Sequence, residues 1–193
     1  LIGGVDTDGV VLDLVQEYDP AADTWRERAP MPKAREHIGA AALDSLIYVV
    51  GGRENGSGGV SITAFQAYDP VRDQWQTLPP LPTARSGLCL AAAKGKLYAL
   101  GGEWPGIFDL NEEYDPTRGS WRTAARMGNK RHGFTAVTYK DTVFAIGFVQ
   151  ATEAFLPPGP SSSIRLRAGE GGSRDGGSRE GRADGIRVEN WAG

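Results

Sequence analysis

One motif recurs three times along the chain, and its spacing limits the possible folds more than any other feature. Tyr18-Asp19-Pro20 returns as Tyr68-Asp69-Pro70 and as Tyr114-Asp115-Pro116. A tryptophan stands seven residues after each tyrosine (Trp25, Trp75, Trp121), and an arginine ten residues after each tryptophan (Arg35, Arg85, Arg131). Sixteen residues further on comes a glycine pair, Gly51-Gly52 and Gly101-Gly102, degraded in the last copy to Gly147-Phe148. Copies are offset by 50 and then 46 residues, and all of the difference falls between the glycine pair and the tyrosine, which marks that interval as a loop of variable length.

Each copy divides into four short strands. Ser45 to Val50, Lys96 to Leu100 and Thr142 to Ile146 are apolar, rich in β-branched or aromatic residues and bounded by turn formers, the pattern of a buried strand. A strand of smaller residues precedes each, over residues 38–43, 88–93 and 134–139, joined by two-residue hairpins at Asp44-Ser45, Lys94-Gly95 and Lys140-Asp141. The third strand ends in Tyr-Asp-Pro and the fourth carries the tryptophan, with Asp23, Asp73 or Gly119 in the turn between them. A four-stranded meander cannot bury both faces by itself, so successive copies must stack, and radial stacking yields a β-propeller. The glycine pair, tyrosine and tryptophan at these offsets resemble the kelch repeat over residues 1 to about 157. The resemblance implies an all-β, kelch-type propeller of about three blades in this chain.

In that framework Gly51, Gly52, Gly101 and Gly102 end the second strands where backbones approach closely. Tyr18, Tyr68, Tyr114, Trp25, Trp75 and Trp121 supply inter-blade packing surface. Arg35, Arg85 and Arg131 allow two readings. They form a ring of positive charge at one mouth of the channel, open to a partner, or each guanidinium satisfies loop carbonyls between blades, which their recurrence once per copy favours. Two histidines and one cysteine, none at ligand spacing, provide neither a metal centre nor a cofactor site. Cys89, in an innermost strand, reads as a small apolar side chain.

Function then falls to the loops. The variable loops, residues 5–9, 53–60 and 103–106, share a face with the crossings between blades. They carry Arg53, Glu54 and Asn55 in one loop and Glu103 and Trp104 in another. Trp104 lies outside the repeat register, either as a binding anchor or folded back over its own blade. Kelch-like propellers commonly bind proteins, so the resemblance implies a scaffold for a protein or peptide partner. No catalytic constellation is visible: Glu112 and Glu113 are adjacent in a strand and must point to opposite faces. The alternative is a carbohydrate-active enzyme, because propellers related to kelch include a copper radical oxidase and a sialic acid mutarotase. The latter chemistry would draw on Arg35, Arg85, Arg131 and Glu36 at the channel mouth.

With 21 basic and 24 acidic residues and no long basic run, the chain carries no electrostatic footprint for nucleic acid. No apolar run reaches the length of a membrane span. Residues 158–193 hold nine glycines, five serines and six arginines with almost no apolar periodicity, and read as a disordered tail distinct from blades 1–157. The blade count is below the four to eight of closed propellers, so the expectation is a part of a larger ring, or a homodimer in which two chains complete each other's split blade as a six-bladed ring.

Overall fold

The computed structural model describes residues 1–56 and 58–157, together with the strand backbone of 163–167 and 187–191. The strands fall into four antiparallel sheets. β1 (Gln16–Asp19) and β2 (Thr24–Glu27) form a hairpin. Its free side is extended by the N-terminal residues: the Leu1 ammonium donates to the Gln16 carbonyl, and Ile2 bridges Val15. The second sheet is β3 (Gly39–Leu43), β4 (Leu46–Val50), β5 (Phe65–Asp69) and β6 (Gln74–Thr77). The third repeats it as β7 (Cys89–Ala93), β8 (Lys96–Leu100), β9 (Asn111–Asp115) and β10 (Ser120–Thr123). The fourth comprises β11 (Thr135–Tyr139), β12 (Thr142–Ile146), β13 (Thr152–Phe155), β14 (Ser163–Arg167) and β15 (Arg187–Trp191). Each sheet is a blade in chain order, and the innermost strands β3, β7 and β11 face one another in sequence.

Local chemistry accounts for the blades. Lys94 and Gly95 both adopt positive φ, as do Lys140 and Asp141, the requirement of a tight hairpin that matches strand twist. The aspartate of each Tyr-Asp-Pro folds the next turn by accepting backbone N–H groups, as Asp69 Oδ1 does from Val71 (2.9 Å) and Arg72 (3.0 Å). Facing blades then bury alternate residues. Tyr48, Val50 and Phe65 of the second sheet meet Leu88, Leu90, Leu97 and Tyr114 of the third. Tyr98, Leu100 and Ala91 on the reverse of the third sheet meet Val143 and Ala145 of the fourth. Leu97 is wholly enclosed, and truncating such a leucine to alanine costs about 2–5 kcal/mol.

The glycine pairs are docking points between blades. The N–H of Gly52 donates to the Arg85 carbonyl of the next blade (3.1 Å), and that of Gly102 to the Arg131 carbonyl (2.7 Å). A Cβ on Gly51 would lie 2.6 Å from the Arg85 oxygen, and one on Gly101 2.5 Å from the Arg131 oxygen. Positive φ and close approach together exclude a side chain at either place.

Within 158–193, residues 163–167 and 187–191 are strands that extend the fourth sheet beyond β13, with Ser163 rather than a tryptophan opposite Phe155. Ile164 and Leu166 alternate with polar residues, a period-two pattern short enough to pass unnoticed among glycines, and β13 offers an edge to pair with. The rest of that segment lies outside the described residues. β13 pairs with the outer edge of β12.

Candidate functional site: the loop face

The segments after the glycine pairs and those entering the innermost strands meet on one face. Glu36 bridges Arg53, and Ser86 bridges Glu103, each pair in antiparallel backbone contact. Side chains continue the connection from blade to blade. Arg53 Nε donates to Glu36 Oε1 (2.7 Å), and Arg53 NH1 lies 3.9 Å from Glu103 Oε1. Glu103 Oε2 in turn is 3.2 Å from His132 Nδ1, whose ring packs against Phe148 at 4.4 Å between centroids. Glu36 also holds His37 Nδ1 at 3.1 Å. Ser61 Oγ donates to Ser86 Oγ (3.1 Å), tying the 53–61 loop to the following blade. Burial alone would push the Glu36 carboxyl up, but hydrogen bonds from Arg53 and His37 hold it below its ordinary value. Glu36, Arg53, Glu103 and the two histidines are thus engaged with one another.

Large apolar side chains also stand exposed on this face, beside Asp6, Asp8 and Asn55. Trp104 keeps 54% of its surface open. Ile107 follows in the same loop, Val60 ends the preceding one, Val5 and Val10 flank the first, and Phe148 occupies the second position of the degraded glycine pair. All are exposed, and the loops touch: the Gly9 carbonyl lies 3.4 Å from where a Cβ on Gly56 would stand. The sequence reading singled out Trp104 and missed Val60, Ile107, His132 and Phe148. Their signal is that large apolar residues sit where the repeat itself requires none.

The remaining residues sort by burial. Asn55 is exposed, and Glu54 is ion-paired with Lys33 across the loop face. Arg35, Arg85 and Arg131 are completely enclosed. Their burial corrects the reading of these arginines as partner-binding, and equally as a charged channel mouth. Arg85 Nε donates to the Gly101 carbonyl (2.7 Å), NH2 to Ala99 (2.9 Å), and NH1 to Thr83 (3.0 Å) and the Glu112 carboxylate. Arg131 likewise donates to Gly147 (2.6 Å) and Ala151 and lies 3.7 Å from Glu153. Arg85 and Arg131 thus clamp the strand ends of their own blades, while Arg35 donates from NH1 to the Lys33 carbonyl (3.3 Å) and Gln66 Oε1 (2.7 Å). Glu36 is also nearly enclosed, so the four groups on which a mutarotase-like site would draw lie inside the fold.

Glu112 and Glu113 point to opposite faces of β9, the first to Arg85 and the second to Lys96 (3.0 Å) and Arg122 (2.7 Å). Cys89 Sγ donates to the Phe134 carbonyl of the next blade (2.8 Å), and burial pushes its thiol up to about 12, so it stays protonated and unreactive. Among the described residues no three His, Cys, Asp or Glu side chains are grouped to hold a metal ion.

This architecture is that of a kelch-type β-propeller. The kelch motif matches residues 34–82 and 84–128, which identifies the two central blades as kelch repeats. Over 52 residues the chain is 46% identical to Kelch-like protein 35 of Mus musculus, covering 27% of this chain and 9% of that protein. Over 57 residues it is 42% identical to Kelch-like protein 7 of Homo sapiens, covering 30% and 10% respectively. The matched segments thus amount to about a tenth of these relatives' length. Among solved structures the chain is similar to YjhT, with a TM-score of 0.70 at 18% identity over 89% of this chain and 65% of the other, a likeness of fold.

Proposed function

We propose that the chain is part of a protein-interaction scaffold whose loop face binds a protein or peptide partner through apolar anchors. One observation carries this reading: successive loops after the second strands each display large exposed apolar residues, with the ion pairs Arg53–Glu36 and Lys33–Glu54 between them. An exposed tryptophan with apolar neighbours is the composition from which binding hot spots are built. The kelch-like relatives are consistent with such a role.

Selection of peptides from a displayed library on the full chain, followed by affinity measurement, tests the reading. Replacing Trp104 with alanine is expected to weaken the selected peptides at least tenfold, which corresponds to about 1.4 kcal/mol. Peptides that bind the Trp104→Ala and Val60→Ser chains as tightly as the parent would place the interaction elsewhere.

A further inference from the structure

Successive blades meet at equivalent gaps, and the first two are filled differently. In the first, between the β1–β2 hairpin and the second sheet, Arg28 reaches across. Its Nε donates to the Tyr68 hydroxyl (3.0 Å) and lies 3.2 Å from Glu17 and 3.6 Å from Asp73, and its NH2 donates to the Pro70 carbonyl. The Ala29 N–H donates to the same Asp73 carboxylate (2.9 Å). In the second gap Tyr114 and Pro116 keep the places of Tyr68 and Pro70, but the four other positions have changed. Leu78 stands for Arg28, Ala67 for Glu17, Gly119 for Asp73, and Pro79, which has no N–H, for Ala29. Two indole bonds fix the equivalence: Trp75 Nε1 donates to the Ala29 carbonyl and Trp121 Nε1 to that of Pro79, both at 2.9 Å.

The coordinated loss of the ionic plug leaves a cavity of about 380 Å³, within the range of small-ligand sites. Leu78, Ala67 and Pro116 are among the residues that line it, with Tyr48 and Tyr114. Both tyrosines are more than nine-tenths buried as residues, and no hydrogen bond joins either hydroxyl to a described residue, whereas the equivalent of Tyr114 in the first gap, Tyr68, contacts Arg28 and Asp73. A tyrosine hydroxyl without a protein partner keeps a donor and an acceptor for a ligand. The Pro116 carbonyl, counterpart of the Pro70 oxygen that takes the Arg28 proton, has likewise lost that donor.

We propose that this inter-blade cavity is a binding site for a small uncharged aromatic alcohol, its ring against Leu78 and Ala67 and its hydroxyl engaging Tyr48, Tyr114 and the Pro116 carbonyl. The neutrality follows from the wall: with Glu17 and Asp73 replaced by Ala67 and Gly119, a cation entering here meets none of the carboxylates that hold Arg28. The site lies between the outer strands, apart from the loop face, and does not depend on the protein-binding reading.

Titration of the full chain with 4-methylphenol, followed by amide NMR shifts, tests the proposal. Saturable shifts are expected at Thr77, Leu78 and Gly119, with 4-methylbenzylammonium binding at least tenfold more weakly. The double variant Leu78→Arg/Gly119→Asp rebuilds the plug of the first gap. It suits the backbone, because Gly119 has φ 61° where Asp73 has 56°, and a Cβ on Gly119 meets nothing within 4 Å. It should abolish the saturable shifts. Tyr114→Phe, which removes one hydroxyl without changing shape, should weaken binding about three- to tenfold. Non-saturating or scattered shifts, equal binding of the ammonium compound, or 4-methylphenol binding unchanged in both variants would overturn the assignment.

Discussion

Arg35 and Arg85 occupy the same place in successive blades and both are enclosed, yet only Arg85 is fully used. Its guanidinium meets the Glu112 carboxylate and three backbone carbonyls. The position of Glu112 is taken in the preceding blade by Gln66, which accepts one bond from Arg35 NH1 (2.7 Å). Arg35 Nε and NH2 have no hydrogen-bond partner among the described residues. Burial without a carboxylate lowers the Arg35 pKa from 12.5 to about 10, with Glu54 acting weakly against that shift. The difference teaches that the recurring arginine is a clamp whose grip depends on the residue two before the tyrosine. A carboxylate there turns the fork so that its other N–H groups reach the strand ends.

That comparison can be broken most severely at the better clamp. Arg85→Met leaves Glu112 buried without its cation and three carbonyls without a donor, and should cost about 3–5 kcal/mol in urea unfolding, against about 1–3 kcal/mol for Arg35→Met. Glu112→Gln, which makes the third sheet resemble the second, should cost about 1–3 kcal/mol. Equal losses for the two arginine variants would show that the carboxylate adds nothing.

The converse change, Gln66→Glu, gives Arg35 its missing partner and should add about 1 kcal/mol at pH 7, read as a rise in the unfolding midpoint. The gain should disappear as the pH falls through the carboxylate range. A second contrast lies one residue on, where Ala67 of the second sheet corresponds to Glu113 of the third. Burial alone would raise the Glu113 pKa, but Arg122 and Lys96 hold it below its ordinary value. A folded value below the unfolded one means a contribution present above the unfolded pKa and lost as pH falls through the folded one. The acid limb of the stability curve should therefore flatten in Glu113→Gln. The smallest effect is expected at Phe148, a bulky residue at φ 68° where the other copies have glycine. Phe148→Gly should relieve that strain and raise stability by no more than about 1 kcal/mol, net of the lost contact with His132.

Much of the blade architecture was legible because the repeat is written in residues that turns and close approaches demand. The spacing predicts β8 and β12 to the residue, and β3, β4, β7 and β11 to within one. Glycine pairs, Asp-Pro turns and two-residue hairpins are local requirements, visible wherever they occur. The loop-face anchors were less legible. Trp104 stood out by breaking register, but Val60 and Phe148 are ordinary residues until the fold brings their loops together.

By itself the sequence determined the repeat, the strand order within each blade and the stacking of blades, because backbone geometry and alternating apolar residues are properties of short segments. Only the tertiary structure decided that the recurring arginines are sealed inside the blades, that Glu36, Arg53, Glu103 and the two histidines meet on a shared face, and that one inter-blade gap is plugged while the next is open. Those outcomes depend on which side chains from different copies meet, and that is set by the packing of whole blades against one another.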